Sequence, residues 1–199
     1  MNSKQIVQYL EELSQALSQL GAPSIHILVP GGAFMLLQGK RQLTLDIDFV
    51  LIENPNPLRI PTQGTFQIAV QRTEVSKTPY GKKFKRAIEF VASQHKGLAE
   101  DWMNDEAAVY YYDDAPFAEV RFWRNFNNVL YVYLPSFAYM FAAKVAAYRQ
   151  KDIKDIQVLK QELNIQTRAE AQAILDKFLL PDAQEFWEVD KKLKRLFRK

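Results

Sequence analysis

The sequence predicts a mixed α/β fold of the α+β kind, followed by an all-helical C-terminal region. Through residue 134, segments with helical spacing of apolar residues alternate with short apolar or alternating runs, whereas beyond it only the helical spacing persists. The chain has 199 residues, of which 48% are hydrophobic and 25% charged, enough for a substantial core and ordinary for a globular protein. The expected organisation is an α/β unit over residues 1–134 and a helical region over residues 135–199.

Taken in order, Ile6, Leu10, Leu13, Leu17 and Leu20 recur every three or four residues, so residues 3–20 read as an amphipathic helix stopped by Gly21 and Pro23. "IHILV" (25–29) reads as a short buried strand, residues 32–38 as a short helix and "DIDFVLI" (46–52) as a second strand. Pro55, Pro57 and Pro61 make the next stretch a loop. "TFQIAVQ" alternates like a strand, and residues 83–95 are spaced like a helix. "FAEVRFW" and "NVLYVYL" flank the turn-rich "RNFNN" and read as a hairpin. Beyond it, Phe137, Phe141, Val145 and Tyr148 line one helical stripe, and Ile153, Ile156, Leu159 and Leu163 another.

Composition narrows the chemistry. With no cysteine there is no disulfide or thiolate chemistry, and with only His26 and His95 a histidine-built zinc site is disfavoured, so a bound metal would be held by oxygen. Apolar runs fall well short of the ~20 residues that span a bilayer, and the N-terminal stretch carries acids where a signal peptide has an apolar core. A cytoplasmic protein without membrane contact is expected. The net charge of +3 conceals segregation: residues 72–86 hold six bases, the tail "KKLKRLFRK" six more, and residues 100–114 six acids and no base. Basic patches suit a polyanion such as a triphosphate or RNA; a solvated helix face is the plainer explanation of the tail.

The stretch "PGGAFMLLQGKRQLTLDIDFVL" (30–51) carries the chemistry. On one strand Asp46 and Asp48 point the same way, with Cα atoms about 6.6 Å apart, while Ile47 points into the core. Two carboxylates side by side repel, and a divalent cation between them relieves the repulsion; Mg²⁺ takes carboxylate and phosphate oxygens. Gly31 and Gly32, after a buried strand and opening a helix, let the backbone approach a phosphate, although a tight turn alone also explains a glycine pair.

Gly31-Gly32, Arg41, Thr44, Asp46 and Asp48 together resemble the signature of the DNA polymerase beta-type nucleotidyltransferase superfamily. Within it the chain resembles a bacterial branch related to the nucleotidyltransferase toxins of abortive-infection toxin–antitoxin systems, since "GLAEDWMND" (97–105) and "VYLPSFAYMFAAKVAAYRQKDIKDIQVL" (132–159) match that branch in the same order. The similarity covers about residues 29–159. It implies a nucleotidyltransferase-fold mixed sheet with flanking helices, Asp46 and Asp48 as catalytic metal ligands for Mg²⁺ (or Mn²⁺), and Gly31, Gly32, Arg41, Thr44 and Lys144 around the triphosphate. Arg41 as a plain surface cation and Lys144 as a lysine snorkelling from an apolar helix are the simpler alternatives. Asp152 and Asp155 match paired acids of the branch, and they also suit a helix cap beginning at Ile153. Many members of the superfamily place a third metal carboxylate on a neighbouring strand, for which Glu119 is the best candidate; a cross-strand partnership is its plainer role. Trp102, Asn104 and Asp105 match a motif of the branch, with a buried Trp anchoring a helix start as the default.

The resemblance therefore implies a metal-dependent transferase that moves a nucleoside monophosphate from an NTP to an acceptor, with tRNA or protein favoured as acceptor and an antitoxin as a possible partner. Two alternatives stay open: a catalytically weak nucleotide- or partner-binding module of the same fold, and a small-molecule adenylyltransferase of the antibiotic-modifying kind.

Overall fold

The computed structural model describes residues 1–52, 64–71, 73–105 and 117–198. In chain order the elements are α1 (Ser3–Gln19), β1 (Ile25–Leu28), α2 (Gly31–Leu37), β2 (Ile47–Asp48), β3 (Val50–Leu51), β4 (Phe66–Ala69), α3 (Gly81–Gln94), β5 (Met103–Asn104), β6 (Phe117–Phe126), β7 (Leu130–Pro135), α4 (Phe137–Ala147), α5 (Ile153–Glu162), α6 (Arg168–Phe178), α7 (Pro181–Phe186) and α8 (Val189–Leu196). The fold is mixed α/β, with its C-terminal third helical. The proline loop predicted for residues 55–61, Arg72 and most of the acidic run lie outside the described residues.

Local chemistry explains the element ends. Asn2 and Gln5 form a reciprocal capping box at the start of α1, and Gly21, at φ +62°, ends it with backbone bonds to Ser18 and Leu17 formed by residues 21 and 22. Asn127 and Asn128, both at positive φ, make the tight turn between β6 and β7. Ser136 caps α4 by accepting from the Tyr139 amide.

Five strands form one sheet in the order β3-β1-β7-β6-β4, in which β1 and β7 run parallel and the other neighbours antiparallel. A bridge between Ile52 and Val70 brings the two edges together, so the sheet curls. Its concave side is aromatic. Phe66 of β4 meets Tyr133 of β7 at 6.1 Å between ring centroids, across the intervening β6, and adjacent strands lie ~4.8 Å apart, so such a contact closes only inside the curve. Phe122 also packs on Tyr133, and His26 stacks on Tyr131 at 4.4 Å with nearly parallel rings. β6 carries a register shift between Phe122 and Arg124, which interrupts the alternation that the sequence suggested through Trp123.

The predicted single strand over residues 46–52 is in fact two. The chain leaves β2, which pairs in parallel with β5 as a separate two-stranded sheet, and enters β3 on the large sheet, with buried Phe49 at the switch packed on Phe84 of α3. Hydrophobicity did not reveal the break because both pieces are buried on the core side. Trp102 is buried and donates its indole N–H to Ile88 O, so it anchors α3 and introduces a strand, β5, rather than the helix start expected of it. Buried side chains of the sheet and of the C-terminal helices belong to one contiguous cluster, and Phe34 of α2 touches Phe137 of α4. Among the described residues, no helix is long and apolar enough to cross a membrane.

Candidate functional site

The β1–α2 turn brings the residues of the opening motif together. Gly31 has φ +68°, and a Cβ placed on it would lie 2.5 Å from Asp48 Oδ2. A Cβ on Gly32 would lie 2.7 Å from Thr44 Oγ1 and 2.8 Å from Arg41 Nη1. A Cβ at either glycine would therefore displace a side-chain end of this cluster, and Gly31 is favoured for its backbone angle as well. Thr44 is buried, and its hydroxyl donates to Asp46 O at 3.1 Å, which ties the approach to the aspartates to the glycine turn.

Asp46 and Asp48 are half-buried. Burial and the neighbouring Asp46 raise the Asp48 pKa above the usual carboxylate value, and Lys151, Arg149 and Lys144 oppose the rise without cancelling it. The repulsion from Asp46 is a like-charge strain that a divalent cation relieves. The opposing pull of Lys151, Arg149 and Lys144 puts the α4–α5 junction within electrostatic reach of Asp48.

That junction holds a second cluster. Lys144 on α4 is 4% exposed, and its Nζ donates to Asp152 Oδ1 at 2.8 Å and lies 2.8 Å from Asp155 Oδ2. Arg149 donates from Nε to Asp152 Oδ2 at 2.6 Å, and Arg41 Nη1 stands 3.9 Å from Asp155 Oδ2. Asp155 Oδ2 is buried and makes no well-directed hydrogen bond despite these two cations. Burial pushes the Asp152 carboxyl up, but the hydrogen bonds from Arg149 and Lys144 outweigh it and hold the pKa below its usual value.

One sequence-based expectation changes here. Asp152 makes no capping hydrogen bond to α5; its carboxylate turns to Lys144 and Arg149 instead. Lys144, which the resemblance implies around the triphosphate, is paired with Asp152 and Asp155. Arg149 was missed from the sequence; its signal was the spacing of three to Asp152, which on a tight turn sets the two side chains together.

The structure brings Gly31, Gly32, Arg41, Thr44 and Asp48 into one cluster, which Arg41 links to Asp155 and Lys144. It does not bring Glu119 there. Glu119 lies on β6, opposite Gln67 of β4, and its carboxylate is paired with Lys177 of α6, which with a Ser136 bond outweighs burial and lowers its pKa. Asn104 pairs with Asp48 in register, and Asp105 accepts the Val75 amide at 2.6 Å, a structural role. A cavity of about 470 Å³ borders Phe49, Phe84, Met103 and Lys85; Asn104 and Asp105 also line it, whereas Gly31, Gly32, Arg41, Thr44, Asp46 and Asp48 do not.

No group of three or more His, Cys, Asp or Glu side chains among the described residues is arranged to hold a metal. Two carboxylates with raised mutual repulsion nevertheless fit Mg²⁺, which binds through one or two carboxylates and completes its shell with water and substrate phosphates. Comparison of the chain with models of known protein families, with curated proteins and with solved structures found no match.

Proposed function

We propose that the chain is a metal-dependent nucleotidyltransferase that transfers a nucleoside monophosphate from an NTP to a hydroxyl acceptor, tRNA or protein, with release of pyrophosphate. The observation that carries this reading is the packing of Gly31 and Gly32 against Asp48, Thr44 and Arg41, in which a phosphate-compatible turn and a carboxylate share one small space. The sequence resemblance to the polymerase beta-type superfamily supports the same assignment.

In this reading Asp46 and Asp48 would hold Mg²⁺, which when bound offsets charge on the α-phosphate and on the leaving pyrophosphate. The glycine turn and Thr44 orient the triphosphate, and Arg41, Arg149 and Lys151 supply the surrounding positive field. The acceptor hydroxyl oxygen forms a bond to the α-phosphorus as the bond to the pyrophosphate oxygen breaks, and the hydroxyl proton passes to water or to the released pyrophosphate. Lys144 acts at one remove, holding Asp152 and Asp155 in place at the edge of the site. An antitoxin that silences such an enzyme by covering this face is part of the same proposal.

One observation favours a second reading, a nucleotide-binding module without turnover: the candidate third carboxylate, Glu119, is paired with Lys177. Incubation with each α-labelled NTP, Mg²⁺ and total tRNA or cell extract separates the two. Label transferred by the unsubstituted protein and not by Asp48→Asn supports the transferase; NTP binding with no transferred label supports the module.

A further inference from the structure

Arg41 stands between the glycine turn and the buried charges of α4 and α5. Its Nη1 lies 2.8 Å from where a Cβ on Gly32 would sit and 3.9 Å from Asp155 Oδ2. The second distance is an ion-pair contact, about 1 Å too long for a charge-assisted hydrogen bond. The Arg41 side chain is 43% exposed and donates no hydrogen bond among the described residues, and Asp155 Oδ2 is buried without a well-directed donor. A buried carboxylate therefore holds a half-exposed cation against the open face of Gly32, and the N–H groups of that cation are not spent on the protein.

Two features make Asp155 a support for Arg41 rather than a rival of an incoming anion. Lys144 Nζ lies 2.8 Å from the same Oδ2, so at longer range the Asp155 charge is largely offset, and what remains is a short-range pull on Arg41. A guanidinium is planar with its donors fixed relative to one another, so the carboxylate that draws Nη1 also sets where the other N–H groups aim. Without that partner a half-exposed arginine spreads over many rotamers, and ordering it on binding costs conformational entropy. On the nucleotidyltransferase reading, on which this inference rests, the glycine turn receives phosphate, and a phosphate that reaches Gly32 meets the guanidinium beside it. We propose that Asp155 is a positioning residue for the donor NTP: it holds the Arg41 guanidinium against Gly32 with its donors free for phosphate oxygens. Lys144 is the cation that lets a carboxylate take this place without repelling the substrate.

The test is a double-mutant cycle in calorimetric titration with inorganic tripolyphosphate and Mg²⁺, which probes the phosphate contacts without a base. Arg41→Ala should weaken binding about tenfold or more. Asp155→Asn should weaken it at least about threefold, a change opposite in sign to simple electrostatics, since deleting a negative charge near a polyanion otherwise tightens binding. In the Arg41→Ala background, Asp155→Asn should cause no further loss. Lys144→Met/Asp155→Leu removes the buried charges together and should show the same loss, which keeps the test decisive if Asp155→Asn does not fold. Unchanged or tighter binding on loss of the Asp155 carboxylate overturns the proposal. An equal loss with and without Arg41 overturns it as well, by assigning the effect to the fold. In both cases the unsubstituted protein still binds tripolyphosphate, and the nucleotidyltransferase reading stands. An unsubstituted protein that binds neither tripolyphosphate nor ATP overturns that reading, and the positioning role with it.

Discussion

Lys144 and Asp152 form a buried ion pair at 2.8 Å, with side chains 5% and 3% exposed. Removing one partner of such a pair strands the other charge in a poorly solvated place, which costs about 3–5 kcal/mol, whereas a lost helix cap costs about 0.5–2 kcal/mol. Asp152→Ala leaves Lys144 with Asp155 as its remaining carboxylate, so a loss of at least about 2 kcal/mol, beyond that of a helix cap, is expected in urea denaturation. Lys144→Met, which removes the buried cation shared by Asp152 and Asp155 and leaves them only Arg149 and the more distant Arg41, should be destabilising as well. The double variant Lys144→Met/Asp152→Leu should lose less than the sum of the two. A single-variant loss below about 1 kcal/mol for Asp152→Ala, in the range of a surface pair, contradicts this account. Because the Asp152 pKa is depressed, its contribution is present above the ordinary carboxylate pKa and is lost as pH falls through the depressed value.

Asp48→Asn should abolish nucleotidyl transfer and raise the melting temperature of the metal-free protein at pH 7. The sign follows from the raised pKa: the folded state prefers the protonated carboxyl, so stability is lost as pH rises from the ordinary Asp value through the raised one. The gain from Asn should accordingly be absent at pH 3. Glu119→Gln, remote from the aspartates and paired with Lys177, should leave transfer near the level of the unsubstituted protein. Melting curves at both pH values and a labelled-NTP assay check these outcomes.

Gly31→Ala combines a left-handed backbone angle with a Cβ driven against the Asp48 carboxylate. A cost of about 1–3 kcal/mol is expected. Gly32→Ala keeps an ordinary backbone angle but pushes on the ends of the Thr44 and Arg41 side chains, so it should weaken NTP binding more than it lowers stability. Equal behaviour of the two variants in melting and NTP titration would count against the geometry.

His26 lies inside the curled sheet, its Nδ1 3.2 Å from the Tyr133 hydroxyl, and burial lowers its pKa from 6.5 to about 4. Folding therefore favours the neutral ring. Stability is complete above the unfolded value and is lost as pH falls from 6.5 toward 4, by up to about 3 kcal/mol if burial is maintained. Tyr133, pushed up to about 12, stays neutral throughout that window. His26→Phe, which keeps the stack on Tyr131, should flatten the pH dependence of the melting temperature between pH 6.5 and 4. An undiminished slope in that variant would assign the acid sensitivity to other groups.

Much of the architecture was legible because it rests on short-range patterns. The apolar stripe of α1, the buried run of β1 and the asparagine turn between β6 and β7 each express a local period or a local backbone preference, and each was readable within a dozen residues. The break at Phe49 was not. Residues on both sides of it are apolar and buried, and only the choice of hydrogen-bonding partner, β5 or β1, distinguishes them.

For the site, the sequence alone determined the residue types and their order: a glycine pair able to turn tightly, two acids one residue apart, and a lone lysine in an apolar helix followed by two aspartates. Those are statements about what each residue can do, and spacing along the chain suffices for them. Which charge meets which was decided only by the tertiary structure. The bend after α4, where Tyr148 adopts a left-handed conformation, returns Asp152 and Asp155 to Lys144, and the curled sheet leaves Glu119 with Lys177. Coulomb and hydrogen-bond energies depend on distance and burial in three dimensions, and a pattern of residues along one dimension carries neither.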